Sequence, residues 1–228
     1  MFKRSVVIKA NRFKPIGKFS LDYKTVIYFT LFLCGVIIGV LLIKHADSDL
    51  NNFLSRLLVN NFNAKKSNGF LKNFCFVFFC LAILFFFNYL CSLSAVGFPF
   101  IWSILICYGA VCGIIISEFF ISFGLKGIGF CLLVNIPYYA ITAATLVCCC
   151  CESTKICNNI FFFLFGNTAI EKGKNHILKE FSIKYIIMCI PLAIAALIST
   201  CCFKLFSGFF TFNWIKVNVR SLGRFYIT

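Results

Sequence analysis

Five long apolar stretches, separated by short polar or charged segments, dominate the chain. Residues 73–117 hold 45 positions without a charged side chain. This is about twice the ~20 residues that one helix needs to cross a bilayer, so we divide the stretch into two spans. Backbone N–H and C=O groups in hydrocarbon must pair within the chain, and the runs lack the alternation of a membrane barrel, so the spans must be helices. The pattern predicts an all-α, polytopic membrane helix bundle with five transmembrane helices at residues 25–43, 74–93, 98–119, 128–151 and 185–203.

The segment 47–62, which follows the first span, has the periodicity of an amphipathic helix. At about 15 residues it is too short to cross a bilayer, so we predict that it lies at the interface or packs on the bundle. Asp47 or Ser48 can cap its first turn. Two roles stay open, a helix that merely covers the bundle and a surface that binds a partner. The apolar stripe consists of Leu50, Phe53, Leu54, Leu57 and Leu58.

Three further segments flank the spans. Residues 1–24 are basic and precede the first span, whereas residues 207–228 mix aromatic and basic side chains, as is typical of an anchor at a membrane surface. The run Ile160–Phe165 is apolar but too short to span, so we predict that it dips into the interface. Residues 25–206 remain as a single transmembrane domain.

Composition and charge support a lipid environment. Hydrophobic residues make up 61% of the 228 residues, charged residues only 13%, and the mean hydropathy is +0.95. A soluble domain is nearer half apolar and a quarter charged. The net charge of +15 comes from basic residues that flank the spans. Such placement favours anionic lipid headgroups over nucleic acid as the partner.

The numbers of lysines and arginines between the spans predict how the chain is oriented. With the N-terminus inside, 12 of the 22 basic residues lie on the cytoplasmic side and 10 lie outside. The difference depends on the basic segment 1–24. It predicts a cytoplasmic N-terminus and an external C-terminus.

Catalytic and metal-binding motifs have little support in the sequence. Most of the fifteen cysteines lie within spans, and the C-x-x-C pair Cys148 and Cys151 has no histidine or second pair nearby. We interpret these cysteines as small hydrophobic residues. The sequence lacks the hydrolase, zinc-protease and P-loop motifs, and His45 lies far from His176. We therefore expect no cofactor, no metal site and no enzymatic activity.

Two pairs of glycines indicate close contacts between helices. Gly35 and Gly39 in the first span, and Gly109 and Gly113 in the third, have GxxxG spacing. The missing side chains allow helix backbones to approach, which matters where the hydrophobic effect no longer drives association. We favour packing inside the bundle over a subunit interface.

The third and fourth spans also carry unusual polar and helix-breaking residues. Glu118, near the end of the third span, is the only acidic residue between Asp49 and Glu152. A carboxylate there usually faces a polar cavity or pairs with a cation, for which Lys126 is the nearest candidate. The alternative is a solvated helix end, which we favour over a transport or proton-relay role. Pro137 predicts a kink in the fourth span. Asn135 would form a hydrogen bond either with the backbone carbonyl group that Pro137 leaves unpaired or with another helix.

Four motifs follow one another along these two spans: Gly97-Phe-Pro99, a glycine-rich helix that ends at Glu118, the turn Gly124-Leu-Lys126-Gly127, and Pro137 two residues after Asn135. By this order, residues 28–152 resemble the stage II sporulation protein M family, and the five spans agree with it.

The resemblance implies a function. Family members act in endospore-forming bacteria as the non-catalytic membrane partner of two peptidoglycan-degrading proteins, so we expect a scaffold in the bacterial plasma membrane with cell-wall hydrolases as partners. The alternative is a permease-like transporter subunit, which Glu118, the Pro137 kink and the glycine content favour. An intramembrane enzyme would require the fold to bring Glu118 to histidine or serine groups.

Overall fold

The computed structural model describes residues 23–165 and 174–207, and every regular element that they form is helical. Five helices are long and apolar enough to cross a membrane, which confirms the predicted all-α, five-span bundle. The elements are α1 (Tyr23–His45), α2 (Ser48–Ser67), α3 (Phe70–Ser92), α4 (Phe98–Phe123), α5 (Leu125–Phe130), a π-turn (Cys131–Asn135), α6 (Ile136–Phe165) and α7 (Lys174–Phe206).

The observed helices extend beyond several of the predicted limits. Helix α6 continues through the run Ile160–Phe165, and α7 begins at Lys174, eleven residues before the predicted span. Hydropathy marks only the part of a helix that lies in lipid, whereas backbone hydrogen bonding continues beyond it. Residues 1–22 and 208–228, which carry the predicted basic segment and aromatic tail, lie outside the described residues.

Two packing units meet along α6. The first is the pair α1 and α4, which cross closely, and the second is α3 with α7. Helix α6 contacts all four of these helices and so occupies the centre. The core contains fully buried side chains from α4, α6 and α7, including Leu105, Leu146 and Leu192. Many other large apolar side chains point outward, as a bundle in lipid requires.

The bundle has two ends that carry different elements. The Tyr23 end holds the start of α1, the α3–α4 connection, and the C-terminal part of α6 with the start of α7. The α2 end holds α2, the start of α3, the α4–α5 turn and the last turn of α7. The described residues cross the bundle five times, so α1 begins at the Tyr23 end and α7 ends at the α2 end.

Candidate functional site

Four glycines form the contact between α1 and α4. A Cβ atom added to any of them would overlap a backbone carbonyl oxygen of the facing helix, so only glycine fits. The backbones approach this closely because the two GxxxG pairs face each other. All four glycines therefore form helix contacts within one chain, as predicted. The overlapping pairs are Gly35 with Ile106, Gly39 with Ala110, Gly109 with Phe32 and Gly113 with Val36.

The other motif glycines and Pro99 shape the connections on either side of α4. Gly97 precedes α4 and packs against the carbonyl group of Cys91, and Pro99 lies in the first turn of α4. Gly124 ends α4 with a φ of +59°, which L side chains rarely adopt. Gly127 packs against the backbone of α4.

Glu118 lies at the α2 end and is only 3% exposed, so the expected solvated helix end is wrong. Its Oε1 atom accepts a hydrogen bond from Ser55 of α2 and another, at 3.3 Å, from Ser122 one turn later in α4. The predicted partner Lys126 is exposed and makes no ion pair with it. The turn brings Gly127 against α4 at Phe119, while the Lys126 side chain stays on the exposed side.

An aromatic cluster holds the second half of α2. Phe62 is buried, and its ring centroid lies 5.8 Å from that of Phe130 and 5.2 Å from that of Phe203. Both contacts have edge-on geometry, which favours aromatic pairs. The Lys65 ammonium lies 5.8 Å from the Phe203 ring centroid, and burial lowers the pKa of Lys65. Helix α2 is thus attached to α4, α5 and α7.

The predicted apolar stripe of α2 is only partly covered. Leu54 and Leu58 are half-buried, whereas Leu50, Phe53 and Leu57 are 49%, 57% and 42% exposed. Asp47 occupies the N-cap position but its side chain makes no capping hydrogen bond. The bundle therefore uses part of the stripe and leaves the remainder as an open apolar surface.

A π-turn ends two residues before Pro137. Proline has no backbone N–H, and its ring clashes with the carbonyl group four residues earlier. The helix forms one wider turn before the proline, in which the Ile136 N–H donates a hydrogen bond to the carbonyl group of Cys131, five residues earlier. Asn135 lies in this turn, and its Nδ2 atom is 3.7 Å from the Cys131 Sγ atom. Its partner is thus in its own helix, not the freed backbone or another helix.

A polar network at the Tyr23 end was missed by the sequence analysis. Asn88 of α3 is fully buried and donates to the Tyr185 hydroxyl group at 2.8 Å, which lies 3.0 Å from the Ser153 hydroxyl group. Nearby, Tyr28 and Thr154 join α1 to α6 through a hydrogen bond. Asn88 is the one asparagine in the predicted span 74–93, and it was the available signal, because an amide side chain in lipid must find a hydrogen-bonding partner.

An ion cluster lies beyond this network. Glu152 of α6 pairs with Lys155 at 2.6 Å and with Lys184 of α7 at 2.8 Å. The lysine side chains are half exposed, whereas Glu152 is 22% exposed. Exposed ion pairs add little stability. The cluster instead fixes charged groups where α6 and α7 leave the apolar part of the bundle.

A lateral groove of about 810 Å³ opens on the side of the bundle between α1 and α7. Helix α6 forms its floor, because α1 and α7 both pack on α6. Small side chains of α6 keep the space open, and Thr25 stands at the end nearest the Tyr23 end. We define the lateral groove by six of its lining residues, Phe29, Phe32, Cys112, Ala144, Cys148 and Met188.

The fifteen cysteines are all free, including the run of four in α6. Cys149 and Cys150 are fully buried among the core side chains. Within residues 23–165 and 174–207, no three histidine, cysteine or acidic side chains converge on a point where a metal ion would bind. The described cysteines thus occupy the positions of small apolar residues.

Comparison with known proteins gives no match, because no family model fits the chain and neither a curated protein nor a solved structure is similar to it.

Proposed function

We propose that this chain is a non-catalytic scaffold subunit of a complex in the bacterial plasma membrane. The observation that carries the proposal is the attachment of α2. Ser55 and Phe62 hold this non-spanning helix on the bundle, while Leu50, Phe53 and Leu57 stay exposed. A fixed helix with an exposed apolar stripe has the geometry of a helix surface that binds a protein partner.

The resemblance to the stage II sporulation protein M family supports peptidoglycan-degrading proteins as the partners. With a cytoplasmic N-terminus, the α2 end faces the outside, where peptidoglycan lies. The proposal therefore requires residues 44–72 to be external. Protease added to intact spheroplasts should cleave within this segment, and protection there with cleavage only after lysis would contradict the orientation.

The partner test uses cross-linking and recovery of the tagged chain from sporulating cells. We expect a cell-wall hydrolase to be recovered with the wild-type chain. The double variant Phe53→Glu and Leu57→Glu should recover about tenfold less of the hydrolase, because it places charge on the exposed apolar stripe of α2. The variant Asn60→Glu, which adds a carboxylate at another exposed position of α2, is the control and should keep the partner. Recovery of no envelope partner with the wild-type chain would contradict the proposal.

A permease-like subunit is the second candidate, and one observation favours it. Glu118 is a buried carboxyl group within an otherwise apolar helix, and such groups often mark transport pathways. A neighbouring gene for a P-loop ATPase would strengthen this candidate. Glu118→Gln keeps a hydrogen-bond acceptor but removes the ionisable group, so an unchanged phenotype in that variant would count against charge-dependent transport.

A further inference from the structure

We propose that the lateral groove binds one anionic phospholipid, with its acyl chains along the groove and its phosphate beside Lys24 and Lys184. The inference depends on the shape and charge of the groove, and it does not rest on the scaffold function.

The wall of the groove is apolar along its length. It runs beside α1 from Thr25 to Val36, which is about 16 Å at the rise of an α-helix. Ala140 and Ala144 of α6 are exposed within it, so no side chain of α6 fills the space. Acyl chains suit such a wall because it offers van der Waals contact and few hydrogen-bonding groups.

The end of the groove nearest the Tyr23 end is charged. On α6, Glu152 lies one turn beyond the lining residue Cys148, and on α7, Lys184 lies one turn before the lining residue Met188. Lys24 immediately precedes Thr25 at the start of the groove on α1.

This end has a net positive charge. Within residues 23–24, 151–155 and 179–184, the basic residues are Lys24, Lys155, Lys179 and Lys184, and the acidic residues are Glu152 and Glu180. Glu152 pairs with both Lys155 and Lys184. Positive charge directly above an apolar groove is complementary to a phosphate group that is linked to acyl chains. The charge and the groove thus match the two parts of one phospholipid.

A hydrophobic helix of another protein matches the groove less well than a phospholipid does, because its apolar side chains offer no anionic group to the lysines at the Tyr23 end. The preceding residues 1–22 carry six lysines and arginines, which do not suit an apolar groove.

Native mass spectrometry of the full chain, released from nanodiscs with equal amounts of phosphatidylglycerol and phosphatidylcholine, tests the proposal. We expect one retained phosphatidylglycerol per chain. The double variant Ala140→Leu and Ala144→Leu, which fills the groove, should retain about tenfold less lipid. Ala64→Leu makes the same change at an exposed position of α2 and should retain as much as the wild type.

A second pair of variants tests the charge. Lys24→Gln with Lys184→Gln should abolish the preference for phosphatidylglycerol, whereas Lys66→Gln with Lys72→Gln, two exposed lysines at the α2 end, should keep it. Equal retention of both lipids by the wild-type chain would overturn the proposal, and this comparison needs no variant to fold. A photo-reactive residue at Ala144 that cross-links to a protein rather than to phospholipid would also overturn it.

Discussion

Single residues show why some sequence patterns were easier to interpret than others. The glycine pairs of α1 and α4 have a role that depends only on size, so their spacing indicated a close helix contact. Glu118 has a role that depends on its neighbours in space. Its partner Ser55 lies 63 residues away in the chain and belongs to a helix that contacts α4 at few points, so no local pattern could identify it. The nearest cation in sequence, Lys126, was the wrong partner.

Replacing Gly39 by alanine should destabilise the bundle. The new methyl group would overlap the Ala110 carbonyl oxygen, and the helices would have to separate, at a cost of about 1–3 kcal/mol. Unfolding by denaturing detergent in mixed micelles measures this loss. Gly69→Ala is the control because no atom lies within 4 Å of a Cβ there, and it should cost less than about 1 kcal/mol. Equal effects in both variants would show that α1 and α4 do not touch at Gly39.

Glu118→Leu should loosen α2, because Ser55 and Ser122 would lose their acceptor, at a cost of about 2 kcal/mol. Glu118→Gln keeps an acceptor oxygen and should cost much less. Amide hydrogen exchange in α2, measured in nanodiscs, should rise in the leucine variant alone. Lys126→Ala serves as the control, and faster exchange of α2 in that variant would contradict the observed partners.

Among the elements, the helices were predictable and their connections were not. Long apolar runs predicted the five spans, because a segment in lipid must pair its own backbone hydrogen-bonding groups and therefore forms a helix. The π-turn at Cys131–Asn135 arises from Pro137 and from the packing of the neighbouring helices, and sequence indicates only that an irregularity is needed. The contact between Asn88 and Tyr185 requires knowing which helices are neighbours, which hydropathy does not give.

Helix α2 should depend on Phe62 for its attachment. Phe62→Ala removes the ring that contacts Phe130 and Phe203, a change that typically costs 3–5 kcal/mol when such a side chain is buried. We expect hydrogen exchange to rise across the second half of α2 while α3 to α7 keep their protection. Phe53→Ala, at a 57% exposed position of the same helix, should leave exchange unchanged. Protection of α2 in the Phe62 variant would show that the cluster does not hold it.

At the scale of the whole molecule, the described residues form a bundle of helices with outward-facing apolar side chains. Large apolar side chains remain exposed on all five spans, because lipid rather than water surrounds them. The same surface leaves two features for binding, the exposed stripe of α2 at one end and the lateral groove near the other. Composition predicted that lipid surrounds the spans. The groove could not be predicted, because it depends on where α1 and α7 pack on α6, which only the fold shows.

Contact with lipid along all five spans is the central claim, and photo-cross-linking in a bilayer tests it most directly. A benzophenone amino acid would replace one exposed residue within each span, and the full chain would be reconstituted in phospholipid nanodiscs and irradiated. We predict phospholipid adducts at every span position and none at the exposed Lys66 of α2. Absence of adducts at the span positions, from a chain that also stays monodisperse in buffer without detergent, would contradict the account. The five positions are Ile37, Ile83, Val111, Leu132 and Ile190.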